Sequence, residues 1–286
     1  MEQIEKTEEK IEKETNEEEK VKEEKVKEEK VEVAKEPDRF SMRLEKGFLE
    51  HFLKPASTIT DEGGLTVDEN GILIRVIDPA NVCMVSVSLK HEGIEEYSSG
   101  KGKIGLPVER MLKLLGSAKK DDEILVEYLP ERNRIRMAFG NLRYDVALLS
   151  LDTINKEPKV PKIELPVKTT MDGKEFRRVV MSANKISDCI TFKANADGII
   201  IESTGETSDM SFRMEKEDMI DFSISSDARE VKSSFSLDYM DDISKIMAER
   251  GEITMRFGTD YPCMLVGTFA DGHGTVEYLL APRIEE

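Results

Sequence analysis

The sequence predicts an α+β fold of two similar lobes, each of antiparallel sheet carrying two helices. Three observations predict it. Short β-rich runs bounded by turn residues recur along the chain, and four segments between them gather apolar residues on one helical face. The order of these elements then repeats on either side of a proline-rich stretch, Leu151-Asp152-Thr153-Ile154-Asn155-Lys156-Glu157-Pro158-Lys159-Val160-Pro161-Lys162-Ile163-Glu164-Leu165-Pro166. Its three prolines remove backbone donors and hold the preceding residues extended, so it reads as a tether. The expected organisation is a disordered, charged extension over 1–37, a first lobe over 38–149, a connector over 150–166 and a second lobe over 167–286.

Each element follows in turn. Residues 39–44 alternate as a strand does, and Phe48, Leu49, Phe52, Leu53 and Ala56 form the apolar stripe of a first helix. Residues 65–67 and 72–77 read as strands joined at Asp68-Glu69-Asn70-Gly71, a hairpin signal. Residues 78–81 turn the chain into another strand over 82–89. Pro107 suits the start of a second helix containing Met111, Leu112 and Leu115. Strands over 123–128, 134–139 and 144–149 close the first lobe.

Beyond the tether the pattern returns. A strand over 167–171 leads to a helix with Phe176, Val179, Val180 and Ala183. Strands over 189–193 and 199–202 flank a turn at Ala196-Asp197-Gly198, which parallels the earlier hairpin. A fourth helix reaches Ala248, and residues 252–257 are again a strand.

Composition bounds the class. No run approaches the roughly 20 apolar residues of a membrane span, and the N-terminus has no apolar signal region, so a cytoplasmic protein is expected. Cys83, Cys189 and Cys263 are scattered among apolar neighbours and read as buried free thiols. The net charge of −17 argues against nucleic acid as a whole-surface property. Its distribution is uneven: residues 1–37 hold 15 Glu and 9 Lys, a net of −6, leaving −11 for the body. The extension repeats Val-Lys-Glu-Glu-Lys at 21–25 and 26–30, and a period of five builds no apolar seam. It reads as a solubilising appendage.

No catalytic constellation assembles. The histidines His51, His91 and His273 lack metal-ligand spacing, and the glycines around 100–105 lack the ending of a phosphate loop. Asp238, Asp241 and Asp242 are the one acidic cluster that could serve a metal-dependent phosphoesterase; a solvated helix face is the simpler account. No cofactor is expected. The basic residues are more informative. Lys46, His51 and Lys54 fall on the first helix, Arg110 and Lys113 on the second, with Lys119 and Lys120 just beyond. Lys174, Arg177, Arg178 and Lys185 fall on the third, Lys245 and Arg250 on the fourth. Cations on four helix faces turned from the sheets suggest a surface that meets phosphates by charge, without reading bases.

Three segments carry a resemblance: Leu73-Ile74-Arg75-Val76-Ile77-Asp78 with the strand after it, Ser234-Phe235-Ser236-Leu237-Asp238-Tyr239-Met240, and Tyr278-Leu279-Leu280-Ala281-Pro282-Arg283-Ile284-Glu285-Glu286. The body resembles the proliferating cell nuclear antigen (PCNA) family of sliding clamps, most closely the archaeal type, over about residues 39–286. The resemblance implies a non-catalytic DNA sliding clamp, a polymerase processivity factor. Three two-lobed subunits would close into a homotrimeric ring whose helices line a hole for duplex DNA.

It also implies that edge strands near 141–148, with Arg143, Tyr144 and Val146, and 208–215, with Met210, Phe212 and Met214, pair between subunits. A pocket under the connector would take short hydrophobic-aromatic peptides from replicative polymerase, clamp loader, flap nuclease and DNA ligase. Its matching positions are Ile77, Val82, Met84, Ile154, Val160, Pro262, Leu279, Leu280, Ala281 and Pro282. Pore positions that are commonly basic in the family are here His51, Phe52, Met181 and Asp238. A checkpoint-type clamp that assembles only as a hetero-trimer is the alternative within the same fold.

Overall fold

The computed structural model describes residues 39–98, 100–225 and 230–284. The charged extension over 1–37 lies outside these described residues. The first lobe runs β1 (Ser41–Glu45), α1 (Lys46–Ser57), β2 (Gly63–Asp68), β3 (Gly71–Ile77), β4 (Cys83–Lys90), β5 (Glu96–Ser98) and β6 (Gly102–Leu106). It continues through α2 (Val108–Leu115), β7 (Glu123–Leu129), β8 (Arg134–Phe139) and β9 (Leu142–Ala147). The second lobe repeats that order: β10 (Val167–Asp172), α3 (Gly173–Ala183), β11 (Cys189–Asn195), β12 (Gly198–Thr204), β13 (Asp209–Glu215) and β14 (Asp221–Ile224). Then come β15 (Val231–Ser236), α4 (Leu237–Met247), β16 (Glu252–Phe257), β17 (Cys263–Phe269) and β18 (Gly274–Leu280).

The repeat extends to single hydrogen bonds. In the β2–β3 hairpin the Asn70 amide donates to Asp68 Oδ1 at 2.7 Å; in β11–β12 the Asp197 amide donates to Asn195 Oδ1 at 2.9 Å. The next residues, Gly71 and Gly198, have φ of +139° and +151°, and a Cβ on either would fall about 2 Å from a carbonyl of the neighbouring strand. Only glycine fits there. The carbonyls of Asn70 and Asp197 then accept from His91 and Lys216, each opening a short 3-10 turn. By this correspondence β4 is the counterpart of β13, and β9 of β18.

All strand pairs are antiparallel and form three sheets. One has five strands in the order β5-β1-β7-β8-β9, and one has four, β13-β12-β11-β15. The third has nine, β14-β10-β16-β17-β18-β4-β3-β2-β6, and crosses the lobe boundary where β18 pairs with β4. Strand alternation sets the core. Ile72, Ile74 and Val76 of β3 face inward opposite Leu89, Val87 and Val85 of β4, while Leu73, Arg75 and Ile77 face out. The helices cover the inward faces: α1 packs on β1 and β7 of one sheet and on β3 and β4 of another, and α3 packs on β10 and on β11–β13. Asp172 caps α3 by accepting from the Glu175 amide at 2.9 Å.

One irregularity sits inside α1. Pro55 has no N–H, so the His51 carbonyl one turn earlier loses its helical donor. Arg250 Nη2 reaches it from the end of α4 at 3.4 Å, with the guanidinium 5.2 Å from the Phe269 ring centroid. Arg250 is therefore only 7% exposed, which corrects its expected place among the outward-facing cations. Burial and the Arg250 charge both hold the His51 imidazole below its usual pKa, so it adds little positive charge near neutrality.

Candidate functional site

The outer face of the nine-stranded sheet carries a row of residues set by strand register. Ile77 lies opposite Met84, Met84 opposite Leu279, Leu279 opposite Met264, Met264 opposite Arg256, and Arg256 opposite Lys168. Directly paired residues share a face, so four apolar side chains on β3, β4, β18 and β17 continue into two cations on β16 and β10.

The connector is fastened at both ends of this row. At one end Glu157 accepts from Arg75 at 2.8 Å and from Lys103 at 2.7 Å, all three side chains being at most 27% exposed. Lys103 and Ile154 crowd the bare backbone of Gly64, where any Cβ would meet the Lys103 chain at 2.2 Å. At the other end Ile163, Glu164 and Leu165 face Lys168, Arg256 and Met264 across a cleft of 330 Å³. The segment between these anchors therefore passes over β4 and β18, where Met84 and Leu279 form a floor with 5% and 8% exposure.

The other positions expected in the pocket divide. Ile154 is 8% exposed and serves the connector's own packing, while Val160 is 38% exposed. Val82, Ala281 and Pro262 are half-buried, as is Pro282, and the Ala281 amide donates to the Val82 carbonyl at 2.8 Å. Leu280 is fully buried between Cys83 and Cys263 on the inward side of the sheet; its expected role in partner contact is corrected to core packing. Met264 was missed, and its signal was available: it follows the inward Cys263 in an alternating strand.

The loop before β4 is held by a residue the sequence did not single out. Asp78, 4% exposed, accepts from the amides of Ala80, Val82 and Cys83 and, at 2.7 Å, from Tyr239 Oη on α4. Burial would raise its carboxyl pKa, but these four donors outweigh it and hold it below the usual value.

The helix cations also divide. Arg110, Lys119, Lys120, Lys174 and Lys185 are exposed and make no ion pair among the described residues. Lys113, Arg178 and Lys245 are exposed but paired, with Glu109, Glu175 and both Asp241 and Asp242. Lys54 lies 3.9 Å from Glu50 and from Glu249. Two expectations are corrected. Lys46 is mostly covered and donates to the Ala118 carbonyl at 2.8 Å. Arg177 turns sideways to bind Asp241 Oδ1 at 2.5 Å and Ser244 Oγ at 2.9 Å, stitching α3 to α4. Phe52, expected at the pore, is 1% exposed and belongs to the core; Met181, at 47%, is on the surface.

Comparison with known proteins fits this geometry. Residues 40–157 match the family description "Proliferating cell nuclear antigen, N-terminal domain", and residues 159–283 match its C-terminal domain. The chain belongs to the proliferating cell nuclear antigen family. The DNA polymerase sliding clamp of Methanococcoides burtonii is 33% identical over 246 residues, 86% of this chain and 99% of that one. The DNA polymerase sliding clamp of Archaeoglobus fulgidus is 36% identical over 220 residues, 76% of this chain and 87% of that one.

Among solved structures, one described as the C-terminal region of FEN-1 bound to A. fulgidus PCNA superposes with a TM-score of 0.81 at 31% identity. It covers 86% of this chain and 99% of that one. PCNA from Thermococcus kodakaraensis superposes at 0.78 with 26% identity, over 85% and 100% of the two chains.

In this PCNA-family chain two of the three α4 aspartates, Asp241 and Asp242, are engaged by cations. Asp241 is bound by both Arg177 and Lys245, which hold its carboxyl below the usual range although burial pushes it up. The outermost strands β9 and β13 are unpaired on one side among the described residues. Met210, Phe212 and Met214 alternate on β13 as half-exposed residues, and Tyr144 on β9 is half-exposed beside the exposed Arg143. Val146, expected at the interface, is 4% exposed and packs inward. Among the described residues no helix is long and apolar enough to cross a membrane.

Proposed function

We infer that this chain is a DNA sliding clamp that closes into a homotrimeric ring around duplex DNA. One observation carries the reading. The chain holds one nine-stranded sheet, built of five strands ending in β18 joined to four beginning with β4. It also holds five strands ending in β9 and four beginning with β13, each with an open edge. Since β9 and β13 are the repeat counterparts of β18 and β4, pairing them between neighbouring chains would rebuild the same nine-stranded sheet. Such a head-to-tail contact forms a ring when its rotation closes, and closure removes every exposed edge of this kind.

The helices would then face the hole, offering Arg110, Lys119, Lys120, Lys174 and Lys185 to phosphates without base readout. The remaining helix cations have carboxylate partners, apart from the buried Arg250, so DNA is screened and slides without being gripped. The chain is proposed to have no catalytic step of its own, to act in the cytoplasm on nucleoid DNA, and to need a separate clamp loader. Replicative polymerase, flap nuclease and ligase would dock short hydrophobic-aromatic segments on Ile77, Met84, Leu279 and Met264 beneath the connector. Tethering converts rebinding of a dissociated polymerase into an intramolecular event, which raises processivity.

The test is topological. After loading by a clamp loader, the protein should stay on nicked circular DNA and leave once the circle is cut open. Equal retention on circular and linear DNA would overturn the reading.

A further inference from the structure

The outer-face row does not end with the apolar floor. It runs on, one strand at a time, into Arg256 and then Lys168. Arg256 is exposed, lines the cleft beneath residues 163–165 and has no ion pair among the described residues. Lys168 is already answered by Asp221, with Nζ 2.5 Å from its carboxylate. Glu164 lines the same cleft from the connector side and pairs with neither cation. So the guanidinium of Arg256 is the open charge at this end of the pocket, next to Met264, with a connector carboxylate nearby that has not claimed it.

We propose that Arg256 reads a carboxylate in the docked peptide, so that this chain prefers partner segments with an acidic residue about three positions from their apolar anchor. The proposal rests on the partner-pocket reading above. Its spacing comes from sheet geometry. Leu279 on β18 and Arg256 on β16 are two strands apart, roughly 10 Å, and a peptide in the polyproline II conformation advances roughly 3.1 Å per residue with every third side chain on the same face. A side chain seated on the Met84–Leu279 floor therefore places its third neighbour over Arg256. The planar fork of arginine matches two carboxylate oxygens at once, which lysine in that place would not do. Lys168 supports the same sign of potential, and Glu164 opposes it, which keeps the bare cleft from attracting anions without an anchored peptide.

The experiment measures binding of labelled hydrophobic-aromatic peptides to the full chain by fluorescence anisotropy. Each peptide carries Asp three residues beyond an anchor, on one flank or the other, and each has an Asn twin. One flank should show the Asp peptide binding about 3- to 10-fold tighter than its twin, the range of a charge-assisted hydrogen bond at a partly open site. Arg256→Gln should bring that ratio to one, Glu164→Gln should enlarge it, and added salt should shrink it. Equal affinities of the twins on both flanks, or a preference that survives Arg256→Gln, would sink the proposal while leaving the pocket intact. If no peptide binds the native chain at all, the pocket reading falls and this inference with it.

Discussion

Two residues far apart in the chain hold the lobe boundary. Asp78 follows β3 and collects four donors, and Tyr239 brings the fourth from α4 of the other lobe. Removing only the phenolic hydroxyl, by Tyr239→Phe, leaves a buried carboxylate one donor short and should cost about 1–2 kcal/mol in denaturant unfolding. The hydrogen bonds depress the Asp78 pKa below its ordinary value of 3.8, so its ionised form stabilises the fold above that pH. This stabilisation fades as pH falls through the lower folded value. The stability gap between the native chain and Asp78→Asn should therefore be full at neutral pH and shrink on acidification below about pH 3.8, measured by melts across a pH series. A gap that is constant with pH would mean the carboxylate charge is irrelevant. The sequence marked this residue as part of a turn and of a family-like segment but not its contact with Tyr239, because that partner lies 161 positions away and no local pattern reports a contact at that distance.

The connector is a strap with one ionic fastening at its first end. Glu157 answers two cations from two strands, Arg75 on β3 and Lys103 on β6, and sits three residues after the buried Ile154. Glu157→Gln should loosen this segment locally at a cost of about 1 kcal/mol, with faster amide exchange over residues 152–160 and little change in the global melt. Unchanged exchange there would show that Ile154 alone holds the strap. The hairpin glycines make the opposite prediction. Gly71→Ala or Gly198→Ala forces a Cβ into a neighbouring carbonyl at positive φ, and should lower global stability by about 1–3 kcal/mol or more. At this scale the sequence was highly legible. Hairpins, helix stripes and the proline-rich tether depend on local periodicity and turn chemistry, which are written in consecutive residues. Which helix cations are free was not legible. Arg177 and Arg250 share the exposed-looking spacing of Lys174, yet the first is drawn to Asp241 on another helix and the second to a carbonyl that Pro55 leaves open.

For the whole molecule the decisive feature is the mismatch between three sheets and two lobes. Two equivalent lobes offer two equivalent junctions, and among the described residues only one of them, β18 with β4, is made. In the proposed ring its counterpart comes from β13 of one chain and β9 of another. The apolar face of β13 fits that need: Met210, Phe212 and Met214 are packed on their own sheet but left half-exposed where a further strand would cover them. Three chains of 32.4 kDa would give about 97 kDa in light scattering. Met210→Glu places a charge at this edge, where the free chain can still solvate it and the paired edge cannot. Losing one such contact costs roughly 1.5–3 kcal/mol, so dissociation should begin at about 10- to 100-fold higher protein concentration than in the native chain. The far-UV circular dichroism should stay unchanged, because the substituted side chain is half in solvent before assembly. A variant still near 97 kDa throughout the dilution series would show that β13 is not the joint, and the ring would have to close through some other edge.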